Sequence, residues 1–256
     1  MRVRIESFTS SVASLMSAEP PYIPVDSCRN SSKTDAINPW LQRAMRATAE
    51  VRWFYEATIP ACVEAWFQRF EREPYAQPPR TDSYLYPTDA ALNVKVREGR
   101  LEIKRRDTQG TATVFNPRVE GYVERWRKWG FVLASGEAGK VFDATDTLRI
   151  DVRKTRWMHS YRFDETGRIR PASVAEVSPS GCEVELAHIE AAGQGWWSLC
   201  FEAYGDETSL ADLLLRTAQY MFAHGDPPAL DLGHSVGYAG WLLKSVKRDT
   251  RRSRLT

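Results

Sequence analysis

Charged side chains recur at every second position in several β-rich stretches of this 256-residue chain. Lys95 and Arg97 alternate with Val94 and Val96; in the next stretch Glu102, Lys104 and Arg106 alternate with Leu101 and Ile103. Further on, Lys154 and Arg156 stand two apart, and Glu183 and Glu185 alternate with Val184 and Leu186. Successive side chains of a strand point to opposite faces, so each set projects from one side of its strand. Grouped Lys and Arg hold phosphate-type anions through charge-assisted hydrogen bonds. Glutamates beside them offer hard oxygen ligands for Mg²⁺ or Mn²⁺, ions that bridge phosphates. Two arrangements fit this stripe. It could be the water-facing side of a one-sided sheet. Alternatively the sheet curls into a barrel with helices on its apolar face, and the stripe lines the lumen. Such a lumen repels itself unless acidic partners or a bound anion fill it.

The elements that must position these residues are legible as periods and turn signals. Residues 40–48 carry a short helical pattern, and a strand is predicted over 50–55. Pro60 then opens a helix through Phe70, with Cys62, Val63, Trp66, Phe67 and Phe70 at helical spacing. Seven further strands are expected over 83–86, 91–96, 100–106, 122–131, 150–163, 182–190 and 197–204. Glu98-Gly99, Asp164-Glu165-Thr166-Gly167 and Gly193-Gln194-Gly195 punctuate them. Short connections imply antiparallel meanders. An amphipathic helix is expected over 209–224 and another over 236–246, while 1–37 is Ser- and Pro-rich and reads as a partly disordered extension.

Composition narrows the class. Hydrophobic residues at 43% and charged residues at 27% are ordinary for a globular protein. No apolar run approaches the roughly 18–20 residues that a membrane-spanning helix needs. The N-terminus is too polar for a secretory signal, and Cys28, Cys62, Cys182 and Cys200 form no Cys-x-x-Cys pair, so reduced thiols in the cytoplasm are expected. The net charge of +2 divides into +5 on the tail 244–256 and −3 elsewhere, so the body implies no general nucleic-acid surface. Gly233-His234-Ser235-Val236-Gly237 spells G-x-S-x-G, but no His follows it, and a glycine-flanked loop before the last helix is the expectation. His159, between Trp157 and Tyr161, is read as a packed residue.

The order of the motifs adds a resemblance. Asp82-Ser83-Tyr84-Leu85-Tyr86 and Leu92-Asn93-Val94-Lys95-Val96-Arg97 look like a D-x-Y-F/L strand followed by L-R-x-R. Leu101-Glu102-Ile103-Lys104 matches a strand ending in a phosphate-contacting Lys, and Val152-Arg153-Lys154-Thr155-Arg156 resembles V-x-K-x-R. With the late hairpin from Val184 to Glu202, this order resembles the CYTH / triphosphate tunnel metalloenzyme superfamily over roughly residues 50–205. There are departures. The opening E-x-E-x-K stands here as Thr48-x-Glu50-x-Arg52, and the late E-x-E as Cys200-x-Glu202. Arg in place of Lys keeps the charge but changes its geometry.

The resemblance implies an α+β fold, an eight-stranded antiparallel closed β-barrel with flanking helices. Its tunnel domain would span 48–205, with an extension at 1–47 and C-terminal helices and a basic tail at 206–256. Lys95, Arg97, Lys104, Arg106, Lys154 and Arg156 would grip phosphates, with Arg52 assisting. Glu50, Glu185 and Glu202 would hold Mg²⁺ or Mn²⁺, whose bound water would be the nucleophile of a phosphohydrolase. The partner would be a small-molecule polyphosphate or nucleoside triphosphate, with nucleic acid limited to a 5′-triphosphate end and no membrane. An alternative is the same tunnel binding a nucleotide or polyphosphate without turnover.

Overall fold

The structure, a computed structural model, describes residues 46–70, 73–142, 149–164, 166–223 and 226–245, all within one compact unit, Trp40–Thr256. The chain opens with β1 (Arg46–Glu56), followed by α1 (Ala61–Phe67). Six strands come next: β2 (Tyr75–Leu85), β3 (Leu92–Arg97), β4 (Arg100–Arg106), β5 (Thr111–Asn116), β6 (Val119–Val132) and β7 (Arg149–Phe163). The chain continues through β8 (Ile169–Ala172), β9 (Gly181–Ala191), β10 (Gln194–Tyr204), α2 (Leu210–Ala223) and α3 (Tyr238–Ser245).

Eight strands close an antiparallel barrel in the order β1-β10-β9-β7-β2-β3-β4-β6. β1 makes the closure. It pairs with β10 from Thr48↔Tyr204 to Glu56↔Trp196, and with β6 from Arg46↔Lys128 to Glu50↔Glu124. β5 and β8 lie outside the ring, attached to β6 and β7. These two strands were not expected, and β2 begins at Tyr75 rather than at 83. Pro78 and Pro79 conceal its first half: they cannot donate to a ladder, and the β2–β7 register shifts between Gln77 and Arg80 to accommodate them. Arg46–Thr48 is strand, which corrects the end of the helix expected over 40–48; 40–45 and most of the extension lie outside the described residues. α1 stops at Phe67, not Phe70. The turn joining β9 and β10 is Ala192-Gly193, not Gly193-Gln194-Gly195. Like Glu98-Gly99, it holds both residues at positive φ, the conformation that a tight hairpin's twist requires.

The wall is apolar outside and charged inside. Val51 and Trp53 of β1, with Leu199 and Phe201 of β10, pack outward against Trp66 and Phe67 of α1 and Leu214 and Phe222 of α2. A second cluster closes one end of the barrel. Phe54, Val152, Ile189 and Trp196 meet Tyr238 and Trp241 of α3, with Phe54 stacked on Trp241 at 4.7 Å and Tyr84 on Tyr238 at 5.2 Å. The segment before α3 is pinned to β1 where β6 has diverged: Phe54 N–H donates to the His234 carbonyl at 2.9 Å, and Val236 N–H to that of Arg52 at 3.0 Å. Gly233–Gly237 is therefore a strand-edging loop, with the Ser235 hydroxyl accepting from Tyr122 N–H. A Cβ at Gly237 would lie 2.0 Å from Glu124 Oε2, so a larger residue there would displace a carboxylate that Trp126 and Arg106 hold. No described helix is long and apolar enough to cross a membrane.

Candidate functional site

The barrel lumen holds a cavity of about 110 Å³. Nine of the ten residues singled out from the sequence line it: Glu50, Arg52, Lys95, Arg97, Lys104, Lys154, Arg156, Glu185 and Glu202. Arg106 does not; it shares the inward face of β4 but is joined to Glu124, outside the cavity lining. The alternation of the strands brings the nine together, since each occupies an inward position. Arg80, Glu102 and Lys128 complete the charged lining, giving eight cations against four carboxylates.

Most of these charges are paired with one another. Lys104 Nζ donates to Glu50 Oε2 at 3.1 Å and to Glu202 Oε1 at 2.9 Å, bridging the carboxylates of neighbouring strands. Arg52 Nη1 donates to Glu185 Oε1 at 3.0 Å and to Ser198 Oγ at 2.9 Å, while Arg156 Nη1 reaches Glu185 Oε2 at 3.2 Å. Glu102 is met by Arg97 at 2.6 Å, by Lys95 at 3.1 Å and by Lys128 at 3.1 Å. The fully buried Asp82 is met by Arg80, Lys95 and Lys154 at 3.1, 3.2 and 3.4 Å. Deepest of the lysines, Lys154 Nζ donates to Tyr84 Oη at 2.6 Å and lies 4.0 Å from the centre of the Tyr238 ring.

The electrostatics follow from burial against pairing. Burial raises the carboxyl of Glu185, but Arg52 and Arg156 outweigh it and hold its pKa down at about 2. Glu202, opposed by Lys104 and Lys128, and Glu102, opposed by Lys95 and Lys128, are likewise held at about 2 despite burial. Asp82 is lower still: burial is outweighed by Lys95, Lys154 and Arg80. Burial alone would lower Lys104, but Glu202 and Glu50 raise it above the ordinary lysine value. Lys154 goes the other way. Burial, with Lys95 nearby, holds its ammonium well below the lysine range. Lys95 is also lowered, by burial first.

The three candidate metal ligands do not meet at one point. Glu50 and Glu202 are register partners, whereas Glu185 lies further along β9 and belongs to Arg52 and Arg156. Among the described residues no group of three or more His, Cys, Asp or Glu is arranged to hold a metal. Two carboxylates converging on the Lys104 ammonium do suit a cation that shares its shell with phosphate oxygens and water, as Mg²⁺ commonly does. They do not make a closed protein cage.

Several lining residues escaped sequence reasoning. Arg80 follows the two prolines that hide the start of β2. Lys128 alternates with Glu124 and Trp126, but Arg125 and Arg127 charge the opposite face too, so period alone could not select it. Tyr238 comes from a helix and leaves no strand signal. His159 is packed as expected: its ring lies against Phe67 and Phe70, Nε2 is 3.0 Å from the Phe67 carbonyl, and burial lowers its pKa. No protein-family profile matches the chain, and no curated protein matches its sequence.

Proposed function

We propose that this chain is a divergent CYTH-like protein whose lumen binds a triphosphate- or polyphosphate-bearing small molecule. One observation carries the reading: eight cations line a single cavity against four lining carboxylates and the buried Asp82 behind them, a surplus that a multiply charged anion would neutralise. Lys95, Arg97, Lys104, Lys154 and Arg156 reach the cavity from the arc β7-β2-β3-β4, joined by Arg52 from β1. A protein receptor selective for such an anion gains stability in its presence, because only the folded state binds. Tripolyphosphate is therefore expected to raise the melting temperature in a saturable way, and sulfate at equal ionic strength is not. Absence of any stabilisation would leave only a structural role for the charged lumen.

Metal-assisted hydrolysis is the second reading, favoured by the convergence of Glu50 and Glu202. These two would hold Mg²⁺ or Mn²⁺ together with ligand phosphates, once phosphates draw Lys104 away from them. The ion would supply charge neutralisation and an acidified water; the protein's own cations would orient the chain and stabilise charge on the phosphoryl group. Phosphate release from tripolyphosphate, ATP or thiamine triphosphate with Mn²⁺, lost in Glu202→Ala, is the expected result. Stabilisation without release would identify a binding module. A cytoplasmic setting accords with the free thiols of Cys62, Cys182 and Cys200.

A further inference from the structure

We infer that the lumen is blind at its α3 end, so that it accepts only linear phosphate chains with a free terminal phosphate, which enters first. This inference rests on the anion-binding reading above and adds a direction to it.

The closure is built from one end of four antiparallel strands. Phe54 lies near the C-terminal end of β1 and Ile189 near that of β9, whereas Trp196 and Val152 lie near the N-terminal ends of β10 and β7. Alternating strand direction puts all four at the same end of the barrel, and α3 lies across them with Tyr238 and Trp241. Every one of these side chains is at least nine-tenths buried. The layer is packed ring on ring, with Phe54, Trp196 and Tyr238 all against Trp241, and presents no charged group to a polar chain.

Exposure of the lining side chains falls in the same direction. Glu202 is 34% exposed, Lys128 28% and Arg97 20%, whereas Arg52 is 9% and Lys154 7% exposed. Glu50 and Glu102, each 5% exposed beneath their cations, do not follow this order, but the lining cations do: the most exposed mark the mouth, and the least exposed lie against the floor, where Lys154 and Arg52 stand 4.0 and 5.5 Å from the Tyr238 ring centre. A chain entering from the mouth presents its leading phosphate to these two cations. A terminal phosphate carries more charge than a bridging one and suits the seat furthest from water, where pairing is screened least. Any organic group on the other end would stay at the mouth, because the cavity below is narrow and lined mainly by charged side chains. A chain esterified at both ends can present no terminal phosphate to the floor, and a long polyphosphate cannot thread through.

Calorimetric titration of the full-length protein with tripolyphosphate, ATP and diadenosine triphosphate tests this. The first two are expected to bind, and the doubly capped ligand to bind at least about tenfold more weakly. Long-chain polyphosphate is expected to saturate with at most one protein per chain end, whatever its length. Equal affinity for the capped ligand, or protein loading in proportion to chain length, would overturn the blind tunnel while leaving anion binding intact. No binding of any of these ligands would overturn both.

Discussion

The two halves of the lumen wall differ in sign. On the contiguous strands β6, β1, β10 and β9, the register aligns Glu124, Glu50, Glu202 and Glu183 in one cross-strand row. The other half, β7, β2, β3 and β4, supplies Lys154, Arg156, Arg80, Lys95, Arg97 and Lys104 against only Glu102 and the buried Asp82. Carboxylates directly opposite one another on neighbouring strands repel, so the acidic row is tolerable only because cations reach it. Lys104 crosses to Glu50 and Glu202, Arg106 to Glu124, and Arg162 to Glu183. The acidic half thus depends on the basic half for its stability, whereas the basic half has charge to spare. Under the proposed function, that imbalance would leave anion holding mainly to the basic half, with Arg52 of β1 and Lys128 of β6 adding to it.

Acid should break this relation most severely. Glu102, Glu185 and Glu202 have folded pKa values near 2 against an ordinary 4.5, so the unfolded chain binds more protons in between. Their contribution is complete above the unfolded value and is lost as pH falls through the folded one. Stability followed by circular dichroism should hold to about pH 5 and collapse between roughly 4.5 and 2. A flat profile across that window would mean that the pairs do not form in solution.

Removing the tether between the halves should have the next largest effect. Lys104→Met leaves the buried Glu50 uncompensated and should cost about 3 kcal/mol in urea unfolding. Adding Glu50→Gln and Glu202→Gln should restore most of the loss, because neutral amides need no counter-cation. Failure of the triple variant to recover would show that Lys104 acts through packing instead.

Ligand affinity separates the halves by sign. In metal-free buffer, Arg97→Met should weaken tripolyphosphate binding about tenfold, the loss of one charge-assisted hydrogen bond. Glu202→Gln should strengthen it slightly, by removing a competing carboxylate; weakening by both would assign the acidic half to the binding seat as well. The smallest effect belongs outside the barrel. Arg118 and Asp226 are 52% and 77% exposed, and Arg118→Ala should change stability by less than about 0.5 kcal/mol.

All eight barrel strands announced themselves in the sequence over at least part of their length, by alternation or richness in β-formers; the prolines hid the first half of β2, and the start of β1 read as helix. β5 and β8 did not: at six and four residues, they are held by one neighbour each rather than by a pattern of their own. Lys95, Arg97, Lys104, Lys154 and Arg156 were legible because Lys and Arg at period two mark a face without reference to any other strand, and Glu185 by its alternation with Glu183; Glu50, Arg52 and Glu202 were singled out only through the resemblance. The blind end was not legible, since Phe54, Val152, Ile189 and Trp196 look individually like ordinary core residues.

By itself the sequence determined the two-faced character of each strand, because side-chain direction along a strand is a local property with a period of two. Which charges would meet was decided only by the tertiary structure. Glu50 finds Glu202, Lys104 and Glu124 from strands far apart in the chain, through ring closure and register. Neither the closure nor the helix that seals one end is written in any single segment. The same alternation could have faced water; the barrel turned it inward.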